Sequence, residues 1–568
     1  MFAYSALPEG MEPSVLREGR DADYLSHYRS LFDDDDVTLV MHHAKFDMTA
    51  VGYTLPIERF EDTMLMANLL LNDQPKGLKA LAYTLAGYPV DDEKEVKGEI
   101  GATGSNYSEV SEEVMDRYQI GDVERTMLLC KFFLPKIQAN PALEECYKVE
   151  KELVLATMAM EKRGIMINVE AAESLKEWMR VKVREAEEIL PDWLIANVVK
   201  DLKDADIRKL LFTDLKLPVL RLTKKTFQPS TSKDVLQPLA EEHPECKELQ
   251  AIMMWRSYKK GVTTISSYLK LMDEDCIIHP SINTVQAKTG RESVSDPALQ
   301  TVSKEAVLLN PYPVPARRVF RPRPKHVFFL IDYAGIETRL MVHASQEPEM
   351  IQLLKDGGDP HIVAAEMFFA DEGRWKNADA KRRGILRGAA KNAHFALPYG
   401  AGPGKMGGIL GLSKAEGVRA LRTYEQRFPA IVGLNRQYAD MARKTGYITT
   451  EFGHQLRIPS GKWYMALNYY IQGTAAGILK RAQIQVADIL TALSWHYHWD
   501  AQILLPVHDE IIIEWPRQML KAAPETLQHI REAMMDFPQF SIPLEVKVQL
   551  ATASWAKTKE VILDGTPV

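Results

Sequence analysis

The chain has no apolar run of 18 or more residues, no internal repeat and no low-complexity tract. The first absence argues against a membrane-spanning helix, and the others argue against solenoids, propellers and disordered arrays. Cysteine is scarce. Cys130, Cys146, Cys246 and Cys276 are the four in 568 residues, and they show no metal-ligand spacing. That excludes a disulfide scaffold and suits a reducing compartment. No cleavable signal is read at the start, so the expectation is a cytoplasmic protein of a bacterial or infected host cell. Charge of either sign is not in large excess: the net value is -7. This argues against a protein coated in basic surface, but a nucleic-acid enzyme needs only a basic channel.

What is present is an ordinary globular composition, 46% apolar and 26% charged, in a chain long enough for three or four domains. Basic residues cluster locally in "RRVFRPRPKH" (317–326) and in "KRRGILRGAAK" (381–391), while Asp33 to Asp36 reads as a solvated turn. Periodicity predicts a strand followed by a loop in "DVTLVMHHAKFD" and helices in "EDTMLMANLL" and "GDVERTMLLCKFFLPKI". A helix stopped by glycine is expected over "VEKELVLATMAMEKRG". "HVFFLIDYAG" reads as a buried strand, "ILLPVHDEIIIEW" as a hairpin and "FSIPLEVKVQLATASW" as a last strand region.

Two acids stand out because burial should repel them. Asp332 follows the apolar core of one strand, and Asp509 and Glu510 interrupt the hairpin. A lone acidic pair in a turn is often only solvated. Two such acids on neighbouring strands could meet, and convergent carboxylates hold hard divalent ions of the kind that serve phosphoryl transfer. The alternative is two unrelated surface turns. A further pattern favours the first reading. Arg387, Lys391, Phe395 and Tyr399 recur every four residues and would share a broad helical face. Two cations would form a phosphate-binding end and two aromatics a stacking end. Aromatics at that spacing are usually core, but cations on the same stripe resist that explanation.

These segments resemble the family A DNA polymerases, typified by bacterial DNA polymerase I. "DYAGIETR" (332–339) is similar to the family's first palm motif, "RGAAKNAHFALPYG" (387–400) to the fingers motif, and "VHDE" (507–510) to the second palm motif. "TGRESVSDPALQ" (289–300) and "NYYIQGTAAG" (468–477) resemble segments that meet primer and template, and "FQPSTSKDVLQPL" and "MEKRGIMIN" resemble thumb signatures. Order and spacing match across nearly the whole chain.

The resemblance implies an α/β multidomain fold, a right-hand polymerase preceded by an incomplete RNase H-like 3'-5' exonuclease domain. The implied parts are an exonuclease-like domain at 1–140, thumb at 141–280, palm at 281–345, fingers at 346–430 and the rest of the palm at 431–568. It implies that Asp332 and Asp509, with the backbone carbonyl of Tyr333, hold two magnesium ions, for which manganese could substitute, and that Glu510 is a supporting acid. Arg387, Lys391 and His361 would hold the triphosphate, with Lys391 also donating a proton to pyrophosphate. Phe395 would lie against the sugar and Tyr399 against the nascent base pair, and Glu337 would block a ribose 2'-hydroxyl. Arg291, Gln300, Asn468, Gln472 and His508 would contact primer or template. The implied function is template-directed addition of deoxynucleotides to a primer 3' end, with pyrophosphate release, by a monomeric phage-type enzyme that works with replication accessory proteins and no membrane. The rival readings are a 3'-5' exonuclease and a non-catalytic DNA-binding replication protein.

The sequence departs from the family pattern at Gly335, Ala396 and Gly477, and none of these removes an implied metal ligand. Pro398 would kink the last turn of the fingers helix beside Tyr399. His454, Gln455, Leu456 and Tyr464 stand where relatives carry arginines. At the front, "HHAKFD" resembles the second exonuclease motif with His43 in place of the usual Asn and Asp47 kept, and "YQIGD" resembles the third through Tyr118 and Asp122. The first motif, D-x-E, is not found before Asp47, and "FAYSALPEG" resembles the strand that follows it. Proofreading by this chain is therefore expected to be weak, and two readings stay open: a front domain retained as a scaffold, or one that is active in a longer natural product.

Overall fold

The computed structural model describes residues 32–103, 110–196, 201–302, 311–370, 373–397, 399 and 401–561. The "FAYSALPEG" segment and Pro398, with the kink expected of it, lie outside the described residues.

The front of the chain forms a small parallel pair, β1 (Leu39–Met41) beside β2 (Phe60–Asp62), with α1 (Ala44–Val51) between them and α2 (Thr63–Leu70) after them. The expected loop at "HHAKFD" is therefore a helix from Ala44 onward. The cause is remote in sequence. The Asp62 carboxylate accepts from the amides of His43 at 3.1 Å and Ala44 at 2.8 Å, and so satisfies donors at the start of α1. The same carboxylate caps α2 through Met64 and Leu65. That is why the helix expected from Glu61 begins only at Thr63, while Glu61 and Asp62 pair as strand with Val40 and Met41.

Two long helices follow, α3 (Glu112–Gln138) and α4 (Pro141–Arg163). Asn140 caps α4 with Pro141 at its first position, and Gly164, at φ 61°, ends it as the sequence predicts. One apolar core gathers β1, α1, α2, α3 and the first half of α4. A larger core begins at Met160 and runs through the rest of the chain. Next come α5 (Val169–Glu187) and α6 (Lys247–Leu271), packed on each other. A short antiparallel pair, β3 (Ser281–Asn283) and β4 (Ser293–Ser295), then leads into the central sheet.

That sheet has five antiparallel strands, of which β5 (His326–Tyr333) is the middle one. Helices α7 (Ile336–Ser345), α8 (Pro360–Phe368), α9 (Ala380–Ala396) and α10 (Ala466–Tyr497) follow β5 in the chain. The sheet is completed by β6 (Gln502–Val507) and β7 (Glu510–Pro516) on one side of β5, and by β8 (Val546–Ala551) and β9 (Lys559–Val561) on the other. Val327 to Ile331 and Ile511 to Ile513 are all buried, as expected of strands covered on both faces. Acids stand at the end of these strands, at Asp332 and Glu510, and one more, Glu514, is buried within β7 against Arg163 and Arg323.

Candidate active site

The sheet brings the two acids of the sequence together. β7 pairs with β5 in a register that sets Glu510 across from Asp332. Asp509 sits one residue earlier, in the two-residue turn 508–509 that closes the β6–β7 hairpin. Such turns require a positive φ at their first position, and His508 adopts it, at 58°. A histidine held in that conformation on an exposed turn is local strain of the sort found at working sites. The Tyr333 amide donates to the Asp509 carbonyl at 3.1 Å and ties the turn to β5. The Tyr333 hydroxyl, on its buried ring, donates to the Met534 carbonyl.

The surroundings of Asp509 define the site. Burial pushes its carboxyl up to about 6; Arg291 and Lys391 pull it down, while Glu337 and Asp332 push it up. So Asp509 lies within electrostatic reach of its partner acid on β5, of Glu337 on α7, of the loop residue Arg291 and of Lys391 on α9. Arg291 and Glu337 form an ion pair at 2.5 Å. Tyr399 lies within electrostatic reach of both, since burial and then Glu337 raise its phenol while Arg291 lowers it. Glu510 is buried, and one of its oxygens lies 3.6 Å from Arg317. Burial lowers Arg317, against the pull of Glu510 and Asp332.

The second wall is α9. Arg387, Lys391 and Phe395 fall on it as predicted, with the Lys391 ammonium 5.8 Å from the Phe395 ring centre. Tyr399 does not fall on it, because the helix ends at Ala396. Arg387 is held by Asp359, with Nε 2.7 Å and Nη2 2.5 Å from the same carboxylate oxygen. Asp359 also caps α8 through the His361 amide. His361 is buried, 5.8 Å from the Phe395 ring and 5.6 Å edge-to-face from His394. Burial lowers His361 to about 4 and the fully enclosed His394 to about 3.

The residues expected to contact nucleic acid lie on several elements. Gln300 donates to the Pro506 carbonyl at 3.4 Å, just before the acidic turn. Asn468 and Gln472 lie four residues apart on α10, both half-buried. Sequence reasoning missed Arg317, His394 and Asp359. Only Asp359 had a local signal: Asp before Pro at the start of an apolar run is a helix N-terminus.

The donor set suits a hard divalent ion. Magnesium is commonly held by one or two carboxylates together with substrate phosphates, so a pair of acids is sufficient protein. Among the described residues no three of His, Cys, Asp and Glu form a ready cage, so the expected ions would depend on the two acids and the substrate.

The front domain places its motif residues on two helices. Asp47 lies on α1, pushed up to about 7 by burial and then by Asp62. Tyr118 and Asp122 lie one turn apart on α3. The Lys79 ammonium rests 3.5 Å from the Tyr118 ring centre and 3.6 Å from Asp122, and Arg125 reaches Asp122 at 3.1 Å. Burial still holds the Asp122 carboxyl above its usual value, against Lys79 and Arg125.

Comparison with known proteins identifies the family. Residues 172–557, more than half of the chain, match the family model described as DNA polymerase family A, and residues 14–138 match one described as 3'-5' exonuclease. A thermostable DNA polymerase I of Thermus thermophilus is 28% identical over 73% of this chain and 48% of its own length. A DNA polymerase I of Pseudomonas aeruginosa is 26% identical over 96% of this chain and 58% of its own length. The chain thus spans about half the length of the curated relatives it matches. The fold is like that of the POL domain of Pol1 from M. smegmatis, in complex with DNA primer-template and dNTP, with a TM-score of 0.77, 24% identity and coverage of 94% of this chain and 89% of that one.

Proposed function

Since the chain belongs to DNA polymerase family A, with an exonuclease-like domain ahead of the polymerase fold, we propose that it extends a primer 3' end with deoxynucleotides under the direction of a template. The observation that carries this reading is the meeting of palm and fingers at Asp509, which feels both the β5 acid Asp332 and the fingers cation Lys391. Acids alone would fit many metal sites. Acids facing a helix that carries Arg387 and Lys391 fit a substrate with both a reacting hydroxyl and a triphosphate.

Asp332 and Asp509, with the Tyr333 carbonyl, would hold magnesium or manganese. Bound there, the ions would lower the pKa of the primer hydroxyl and offset charge on the triphosphate. The remaining work falls to the chain itself. Arg387 gives a fork to phosphate once it leaves Asp359. Lys391 neutralises the same group and donates a proton to departing pyrophosphate. His361, kept neutral by burial, donates one N–H to the triphosphate. Phe395 stacks on the sugar, and Tyr399 supports the nascent pair. The Glu337 side chain fills the space a ribose 2'-hydroxyl would need. Glu510 stays with Arg317 as a supporting acid. Arg291, Gln300, Asn468, Gln472 and His508 grip the primer and template through phosphate and base-pair shape, because sequence is read by pairing.

We place the parts at 1–140 (exonuclease-like), 141–280 (thumb), 281–345 and 431–568 (palm) and 346–430 (fingers). We further propose the finer placing as a phage-type enzyme. Among the described residues no helix is long and apolar enough to cross a membrane, and the reading extends to a cytoplasmic monomer aided by accessory proteins. The test is primer extension with and without magnesium. Template-dependent extension that requires the ion supports the reading; DNA binding without extension, or digestion alone, would replace it with one of its rivals.

A further inference from the structure

The strand pair β3–β4 and its loop carry Arg291, the residue that pairs with Glu337 beside the acids. Two anchors of this segment come from the front domain. Lys45, inside the "HHAKFD" motif, is buried, and its ammonium donates to the Ile282 carbonyl on β3 at 2.7 Å. The same ammonium meets Thr157 at 3.1 Å and Glu161 at 2.6 Å, and Glu161 in turn accepts from the Ile282 amide at 2.5 Å. Both backbone groups of Ile282 are thereby held by one ion pair, of buried Lys45 and half-buried Glu161, that spans α1 and α4.

Asn72 supplies a second clip. It is buried, donates to the Lys288 carbonyl at 2.7 Å and accepts from the Arg457 amide at 2.8 Å. One side chain of the front domain thus joins the Arg291 loop to a palm hairpin, three residues before Arg291. On the far side, Glu292 accepts from Gln483 of α10 at 2.5 Å. Arg291 is therefore bracketed by the front domain on one side and the palm helix on the other.

We propose that Lys45 and Asn72 are positioning residues for the polymerase site: the exonuclease-like domain holds the 281–292 segment so that Arg291 meets Glu337. The inference rests on the proposed polymerase function for its activity readout, but not for its structural one. A buried ammonium or amide that satisfies a backbone carbonyl fixes the chain more firmly than apolar packing, because the alternative is an unpaired polar group. A small displacement of a positioning group is enough to cost a reaction heavily. A residue of a nuclease motif is thus used on the polymerase side of the molecule.

The test uses full-length Lys45→Met and Asn72→Leu variants, alone and combined, with Tyr83→Ser as an exposed front-domain control. Melting temperature and circular dichroism establish that each is folded. Backbone hydrogen exchange over 282–291 is expected to speed up in the Lys45 and Asn72 variants and not in the control. Steady-state primer extension is expected to lose roughly tenfold or more in kcat, with weaker discrimination against ribonucleotides as the Arg291–Glu337 pair loosens. Lys45→Arg should restore part of the loss, because it keeps a buried donor. Folded variants with unchanged exchange over 282–291 would overturn the proposal, as would faster exchange with extension and sugar choice both unaltered. If the parent itself extends no primer, the polymerase reading fails, and the exchange result alone decides whether the clips hold the segment.

Discussion

The Tyr333 amide donates to the Asp509 carbonyl at 3.1 Å, so the turn that carries one acid is fastened to the strand that carries the other. The backbone holds both positions, since the β5–β7 register also sets Glu510 across from Asp332. Substituting either should therefore remove charge without moving the backbone. Asp332→Ala or Asp509→Ala is expected to lower the kcat of primer extension at least about 100-fold, while DNA binding stays near the parent, because these contacts matter mainly in the reacting complex. Gel-shift affinity and extension rate, measured on the same preparations, check this. Near-parent extension by either variant would remove these residues from the site.

Sugar choice should depend on Glu337 and on what surrounds it. Glu337→Ala is expected to raise ribonucleotide incorporation relative to deoxynucleotide roughly tenfold or more, since truncation opens the space at the 2' position. Phe395→Tyr is expected to raise dideoxynucleotide use about tenfold, the worth of one hydroxyl hydrogen bond to a charged group in place of the missing 3' contact. Competition between the three substrate types gives both ratios. A ratio that does not move excludes that residue from its role.

Buried histidines should make the protein acid-sensitive. Burial lowers His394 to about 3 and His361 to about 4, both below the ordinary value, so between those values and about 6.5 the unfolded chain binds protons that the folded one does not. This contribution to stability is fully present above about pH 6.5 and is lost as pH falls through that window. For His394 the loss between pH 7 and pH 5 is about 2 kcal/mol. Urea unfolding at the two pH values should show a smaller pH effect in His394→Asn than in the parent. Equal effects in the two proteins would mean that His394 does not titrate on unfolding.

Proofreading by this chain should be poor. Asp47 sits at about 7, so metal binding would first have to remove a proton from much of the population, and Asp122 already faces Lys79 and Arg125. Digestion of a 3'-labelled mismatched primer, with magnesium or manganese and no nucleotides, should be slow and no slower in the Asp47→Ala, Asp122→Ala double variant. Robust digestion that vanishes in the double variant would show that other acids complete the site.

The sequence by itself determined the elements that depend on local pattern. The five-residue apolar core of β5, the hairpin around Asp509, the Gly164 stop and the cation spacing of α9 are written in neighbouring residues, because strand and helix periods are local quantities. The resemblance of the palm and fingers motifs to a family was legible for the same reason. What neighbouring residues could not show was every feature made by residues far apart in the chain. Asp62 turns an expected loop into α1. Asp359 holds Arg387, and Arg291 meets Glu337. Lys79 covers Tyr118 and Asp122, and Lys45 reaches Ile282. Each is a charge or hydrogen bond whose strength depends on distance and burial, and both are set only when separate helices and strands pack against each other.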